Sequence, residues 1–257
     1  MSDLSNAVKP GDILNLEGYF KFDWKKPFWA WAERRAIDAI VADQKYVFNK
    51  TLKSKTMLTR DNHSTMYLGD NKIFSQEPPC ATVIPISDYE NDKNRIITIY
   101  RLNPTYIGRE LKDDDIALLI ESCNIMAQRK VPYDIARDVQ DGINDLTDRP
   151  WDSSLNILDT QCNMSEDPNI ISSAVCSQAQ AINFIHWRHK KQAATGEIIR
   201  PLWQNLNPMA WTKKQIEEYP HYWDTAICHP ANFATTNECF CGEFVRIGRF
   251  KNGKSII

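Results

Sequence analysis

The sequence has no apolar run approaching the ~20 residues needed to span a bilayer, so a transmembrane helix is not expected. It has no excess of either charge: 31 basic against 33 acidic residues give a formal net charge of −2. Without a basic field, composition gives no support for nucleic-acid binding. It has no regular cysteine framework. Seven cysteines at irregular spacing, an odd number, argue against a disulfide scaffold and for a reducing compartment. There is no internal repeat and no long low-complexity segment. The opening "MSDLSNAVKPGDIL" lacks a basic stretch followed by an apolar run, so it does not read as a Sec signal peptide. The expectation is synthesis in the cytoplasm, with any export through a signal-independent secretion system.

What remains is ordinary globular composition, 42% hydrophobic and 25% charged over 257 residues. That length supports a core without disulfides or metal. A single domain is expected, with a Trp-rich insertion at about 21–60 and a C-terminal extension at about 191–257.

Periodicity places the elements. A short strand follows the Gly11-Asp12 turn. Residues 26–48 read as a helix with Pro27 near its start. "HSTMYLG" (63–69), "KIFSQ" (72–76) and "RIITIYRL" (95–102) read as short strands separated by turn signals, an antiparallel meander. Residues 113–130 form the cleanest helix. Three aspartates sit at its dipole-favoured end, Ile116, Leu119, Ile120 and Cys123 form its buried stripe, and Arg129 and Lys130 close it. A polar irregular stretch covers about 134–170. A second helix starts near Ser172 or Ser173, either of which could cap it, and runs to about Lys190. Residues 211–219 give a short helix and 243–250 a last strand. The class is α+β, helices packed on an antiparallel sheet.

Cys176 lies in the first turn of the second helix. Backbone N–H groups and the dipole there favour a thiolate and can hold an oxyanion formed when sulfur attacks a carbonyl. Cys123, inside a helix on an apolar stripe, reads as a core thiol. A cysteine nucleophile needs a base. Of the five histidines, His63 opens a strand, where an imidazole is rigidly aimed. His186 and His189 share a helix with Cys176 but lie more than two turns from it. His221 and His229 sit in a Trp/Tyr/Pro-rich region and are weaker candidates. A third group usually orients such a histidine. The strand after His63 ends in Ser75-Gln76-Glu77, which puts Ser75 and Glu77 on one face and Gln76 on the other. Gln76 through its amide oxygen and Glu77 through its charge are both candidates, with Ser75 behind them. On the residues alone, a buried thiol and an unrelated strand histidine are the favoured explanation of these features.

The series "GDIL" (11–14), "HSTMYLGDNKIFSQ" (63–76), "VIPISDY…RIITIYRL" (83–102), "KVPYD" (130–134) and "AVCSQAQAINF" (174–184) resembles the circularly permuted papain-like hydrolases, NlpC-related proteins of the YiiX/YaeF-like group. The order, histidine strand before cysteine helix, is the permuted one, and the likeness covers about residues 10–190. It extends more weakly to "CHPANFATT" (228–236), a Pro-containing segment after the cysteine helix. The resemblance implies a papain-like antiparallel sheet with packed helices and no cofactor. It implies Cys176 as nucleophile, His63 as general base, and Tyr133 lining the site, with Ser177 beside the nucleophile as a substrate or oxyanion contact. The group often carries a glutamate as third residue, whereas alignment here falls on Ser75 or Gln76 with Glu77 next. The activity implied is cleavage of amide bonds in protein or cell-wall peptides by acyl transfer through a thiol ester. Alternatives on the same scaffold are a lipid or protein acyltransferase, a deamidase, or a non-catalytic interaction module. Expected partners are a peptide, peptidoglycan-peptide or acyl-lipid substrate and, for a secreted effector or toxin, an immunity or inhibitor protein.

Other features carry plainer readings. Trp24, Trp29 and Trp31 fit an amphipathic helix packed on the sheet better than a lid or membrane-surface helix, since its polar face mixes both charges. Cys228, His229, Cys239 and Cys241 match no standard zinc spacing, so no metal is expected. "HWRHKK" (186–191) carries positive charge where helix C-termini commonly do.

Overall fold

The computed structural model describes residues 3–17, 63–92, 95–134, 167–199 and 243–256. In chain order the elements are α1 (Asp3–Ala7), β1 (Ile13–Glu17), β2 (His63–Gly69), β3 (Lys72–Glu77), β4 (Cys80–Pro85), α2 (Ser87–Glu90), β5 (Ile96–Leu102), α3 (Pro104–Ile107), α4 (Asp113–Arg129), α5 (Cys176–Thr195), β6 (Phe244–Lys251) and β7 (Lys254–Ser255). The Trp-rich stretch, the expected helices at 26–48 and 211–219, and the Cys228–Cys241 set lie outside the described residues.

The seven strands form one sheet in the order β4-β3-β2-β1-β5-β6-β7, and every pairing is antiparallel. The β2–β3 hairpin turns on Asp70 and Asn71, both left-handed at φ 49° and 57°. Two successive positive φ values make the turn whose twist matches its strands, and Asn and Asp tolerate that conformation best among residues with a Cβ.

Alternation along the strands gives the sheet two differently clothed faces. On the first, Ile13, Met66, Phe74 and Tyr100 meet Leu119, Cys123 and Met126 of α4 and Ala179, Ile182 and Trp187 of α5. On the second, Leu14, Leu16, Tyr67, Ile73 and Ile99 meet Leu4 of α1 and Tyr89 of α2. The long helices thus cover one face only.

The structure revises several expectations. The helix carrying the cysteine starts at Cys176, not at Ser172 or Ser173. Its cap residue is Val175, which has no side chain able to cap, and Ser173 hydrogen-bonds Asp134 instead (2.9 Å). The helix runs past Lys190 to Thr195 and stops at Gly196, left-handed at φ 70°. On α4 the buried stripe is rotated. Asp115, Leu119, Ser122, Cys123 and Met126 are buried, while Ile116 and Ile120 are only half-buried. The strand β4 follows directly on Pro78-Pro79, where the sequence reads as a break. It is an edge strand with Thr82 and Val83 exposed, so it has no alternating core pattern to detect.

Arg101 of β5 reaches Asp12 through Nε (2.8 Å) and Nη2 (2.7 Å) and the Ala7 carbonyl through Nη2 (3.0 Å). This two-pronged pair ties β5 to the turn that launches β1. Among the described residues no helix is long and apolar enough to cross a membrane.

Candidate active site at the end of the sheet

Both candidate reacting groups lie at the end of the sheet where β2 begins and β3 finishes. Cys176 is the first residue of α5, a helix buried almost all round through its first three turns. Its backbone N–H and those of Ser177 and Gln178 precede the first i→i−4 bond, which is made by Ala179 to Val175 (3.0 Å). They therefore have no acceptor within the helix. Cys176 is 4% exposed and Ser177 2%.

The run into Cys176 is held from two sides. Ala174 forms a parallel bridge with Tyr133, donates its N–H to the Pro132 carbonyl (3.1 Å), and accepts the N–H of Asp134 (3.1 Å). Gln76 supplies the other hold. Its Nε2 donates towards the carbonyls of Val131 (3.1 Å), Pro132 (3.0 Å) and Ala174 (3.1 Å). One turn into the helix, Gln180 Nε2 donates to the Ser64 carbonyl (3.2 Å). Positions 174 and 180 are thus pinned on Gln76 and Ser64, with Cys176 between them.

His63 pairs across the sheet with Leu16, a residue of the second face. Its Nε2 lies 3.0 Å from Ser75 Oγ and 3.1 Å from Glu77 Oε1. Ser75 Oγ lies 2.9 Å from Tyr89 Oη, and Tyr89 donates to Glu77. Of the three residues at the end of β3, Ser75 and Glu77 reach the imidazole. Gln76 points to the other face and secures the cysteine run instead. Strand alternation is the whole cause of this division.

His63 and Cys176 therefore share an end of the sheet but belong to opposite faces, and no hydrogen bond joins them among the described residues. Tyr133 stands half-buried beside Ala174, its N–H on the Pro79 carbonyl (3.0 Å). Three residues of the site lie within the quoted motifs but are not singled out by them. These are Tyr89, Arg95, whose guanidinium sits 4.3 Å over the Tyr89 ring, and Asp134, buried against Ser173. Each acts through a long-range contact that no local pattern encodes.

Burial holds the His63 pKa below its ordinary 6.5, and the Arg95 charge adds to this, against the pull of Glu77. Burial alone would raise Glu77, but the His63 charge and the Tyr89 hydrogen bond carry it below 4.5. At neutral pH His63 is uncharged, so the Tyr89 hydrogen bond, the Arg95 charge and the Ser75 hydrogen bond are the causes that persist. Both shifts act with the same sign on stability. Between the folded value and 6.5 the unfolded chain binds the histidine proton and the folded chain does not, so stability falls as pH drops below 6.5. The Glu77 contribution is present above 4.5 and is lost as pH falls through its lower folded value. The melting temperature is expected to decline between pH 7 and 5, and thermal scans should find the decline shallower in His63→Gln. An equal slope in the two proteins would remove His63 as its source.

Among the described residues no cluster of three histidine, cysteine or carboxylate side chains stands ready for a metal. The chain matches no family model, no curated protein and no solved structure.

Proposed function

We propose that this protein is a papain-like cysteine hydrolase of amide bonds, with Cys176 as nucleophile and His63 as general base. One observation carries this reading. At the same end of the sheet as a helix-opening cysteine, an imidazole has Nε2 committed to a carboxylate. Ionised Glu77 only accepts, so Nε2 carries the ring proton and Nδ1 keeps the free lone pair. A base used this way needs one nitrogen anchored and the other open.

In the proposed cycle Nδ1 takes the Cys176 proton as sulfur attacks the amide carbonyl. The oxygen that becomes negative is met by the backbone N–H groups at the start of α5. The imidazolium returns its proton to the leaving amine, giving a thioester. Water, deprotonated by the same Nδ1, then releases the acid and restores the thiol. Glu77 balances the imidazolium in both halves. The reading requires Cys176 and His63 to come together round the end of β2, a contact of the kind that is often long in the free protein and tightens in the complex.

The test is turnover. Wild-type protein should release amine from members of a peptide-amide library, including cell-wall peptides, with an acyl adduct on Cys176 detected by intact mass. Cys176→Ala should release none. Turnover that survives in Cys176→Ala would sink the reading, and a library left untouched by wild type would favour a binding module.

A further inference from the structure

Tyr89 lies on α2, behind β3, and is 4% exposed. Its hydroxyl stands between Ser75 Oγ and Glu77, and its ring is tilted 60° to the His63 ring at a centroid distance of 6.3 Å. The proton directions in this cluster follow from its chemistry. A carboxylate only accepts, so Nε2–H of His63 and Oη–H of Tyr89 both point to Glu77. Ser75 Oγ has a single proton, with Tyr89 Oη and the Glu77 carboxylate both in reach.

Glu77 is the weakly held member. Its side chain is 41% exposed, against 13% for His63, and it is the last residue of β3. A carboxylate that exposed is free to turn to water unless a buried donor retains it. Among the described residues two buried hydroxyls reach Glu77, Ser75 and Tyr89, and the Tyr89 hydroxyl makes the closer contact, itself fixed by Ser75 below and by the Arg95 guanidinium above.

We infer that Tyr89 is a positioning residue, which clamps the Glu77 carboxylate onto Nε2 of His63 and so keeps Nδ1 as the open nitrogen. Its purpose rests on the hydrolase reading, but its physical content does not. The charged and titratable groups acting on His63 among the described residues are Glu77 and Arg95, with Tyr89 reaching it through Glu77. Losing the Tyr89 hydroxyl lets Glu77 swing outward, and the imidazolium loses its counter-charge.

The experiment is a histidine titration by NMR, with ring carbons and nitrogens labelled, in Cys176→Ala protein so that no turnover is needed. His63 is identified among the five histidines by its loss in His63→Gln. In Tyr89→Phe the proton affinity of His63 should fall about three- to tenfold, the effect of withdrawing a nearby opposite charge. Glu77→Gln should lower it as much or more. The decisive comparison is the double variant: Tyr89→Phe added to Glu77→Gln should change nothing further, because the phenol acts only through the carboxylate. An unmoved His63 in Tyr89→Phe, or effects that add in the double variant, would overturn the clamp. Tyr89→Leu, which removes the same hydroxyl with a different side chain, covers the case in which Tyr89→Phe does not fold. It should lower the affinity as Tyr89→Phe does, and an unmoved His63 would overturn the clamp too. The clamp and the hydrolase reading fail separately. Titrations that behave as stated, in a protein whose Cys176 gives no acyl adduct, would leave the clamp standing and the enzyme refuted.

Discussion

Alkylation of Cys176 is expected to persist at pH 5.5 and to collapse there when His63 is replaced by alanine. The argument turns on two opposing effects. An ordinary thiol has a pKa of about 8.5 and is roughly 3% thiolate at pH 7. A thiol activated to a pKa of about 6 is roughly 90% thiolate, close to a thirtyfold gain. Lower basicity also lowers intrinsic reactivity, by about tenfold over that interval. At pH 7 the two nearly cancel, leaving about a twofold advantage that decides nothing. At pH 5.5 an ordinary thiol is about one-thousandth ionised and the activated one about a quarter, so the net advantage rises to about twentyfold. The rate of iodoacetamide modification at pH 5.5, mapped by peptide mass spectrometry, is therefore the informative measurement. It should fall about twentyfold in His63→Ala. Labelling indifferent to His63 would assign any reactivity to the helix terminus alone. On a turned-over substrate the same substitution should cost 10²–10⁴ in kcat/KM, the range of a lost general base.

Asp115→Ala is expected to be the most destabilising substitution on α4, by about 3–5 kcal/mol. Asp115 is fully buried and accepts from Arg109 Nη1 (2.5 Å) and Nη2 (3.0 Å), Trp187 Nε1 (2.9 Å) and the Lys112 N–H (2.8 Å), with Lys191 Nζ at 3.4 Å. One carboxylate therefore joins the start of α4, the loop at Arg109 and the far half of α5. Burial would raise its pKa, but the hydrogen bonds from Arg109, the Lys112 backbone and Trp187 outweigh burial and hold it well below the carboxylate range. Its contribution is therefore complete above about 3.8 and is lost as pH falls through the lower folded value. Alanine strands the Trp187 and Lys112 donors and leaves Arg109 with Glu197 as its carboxylate partner. For a chain of this length a loss of that size lowers the melting temperature by about 10 °C. Asp114 is the internal control. It bonds Lys191 from an exposed position, and Asp114→Ala should cost far less than Asp115→Ala. Calorimetric scans that found the two alanine variants equal would refute the anchor role.

These neighbouring aspartates show where sequence reasoning stops. "DDD" reads as a charge cluster at a helix start, and so it is, yet nothing in three identical letters says that the third is buried. That depends on Arg109, Trp187 and Lys191, up to 76 residues away along the chain. The cysteine helix shows the same limit. A serine ahead of an apolar run is a sound capping signal, but Asp134 takes Ser173 for itself and the helix begins three residues later. Edge strand β4 was invisible because half of it faces solvent and needs no apolar alternation.

Local rules nevertheless carried far. The β2–β3 hairpin, the body of α4, the strands at 96–102 and 244–251, and the place of Cys176 in a helix's first turn all follow from short-range preferences. Period-2 alternation divided Ser75 and Glu77 from Gln76, because a pleated strand allows nothing else. What only the tertiary structure decided is what each face meets: His63 bound to Ser75 and Glu77 with Tyr89 behind them, and Gln76 bound to the run entering Cys176. A strand's periodicity tells which side chains share a face. Which helix or loop covers that face is set by packing between segments distant in sequence, and no local pattern contains it.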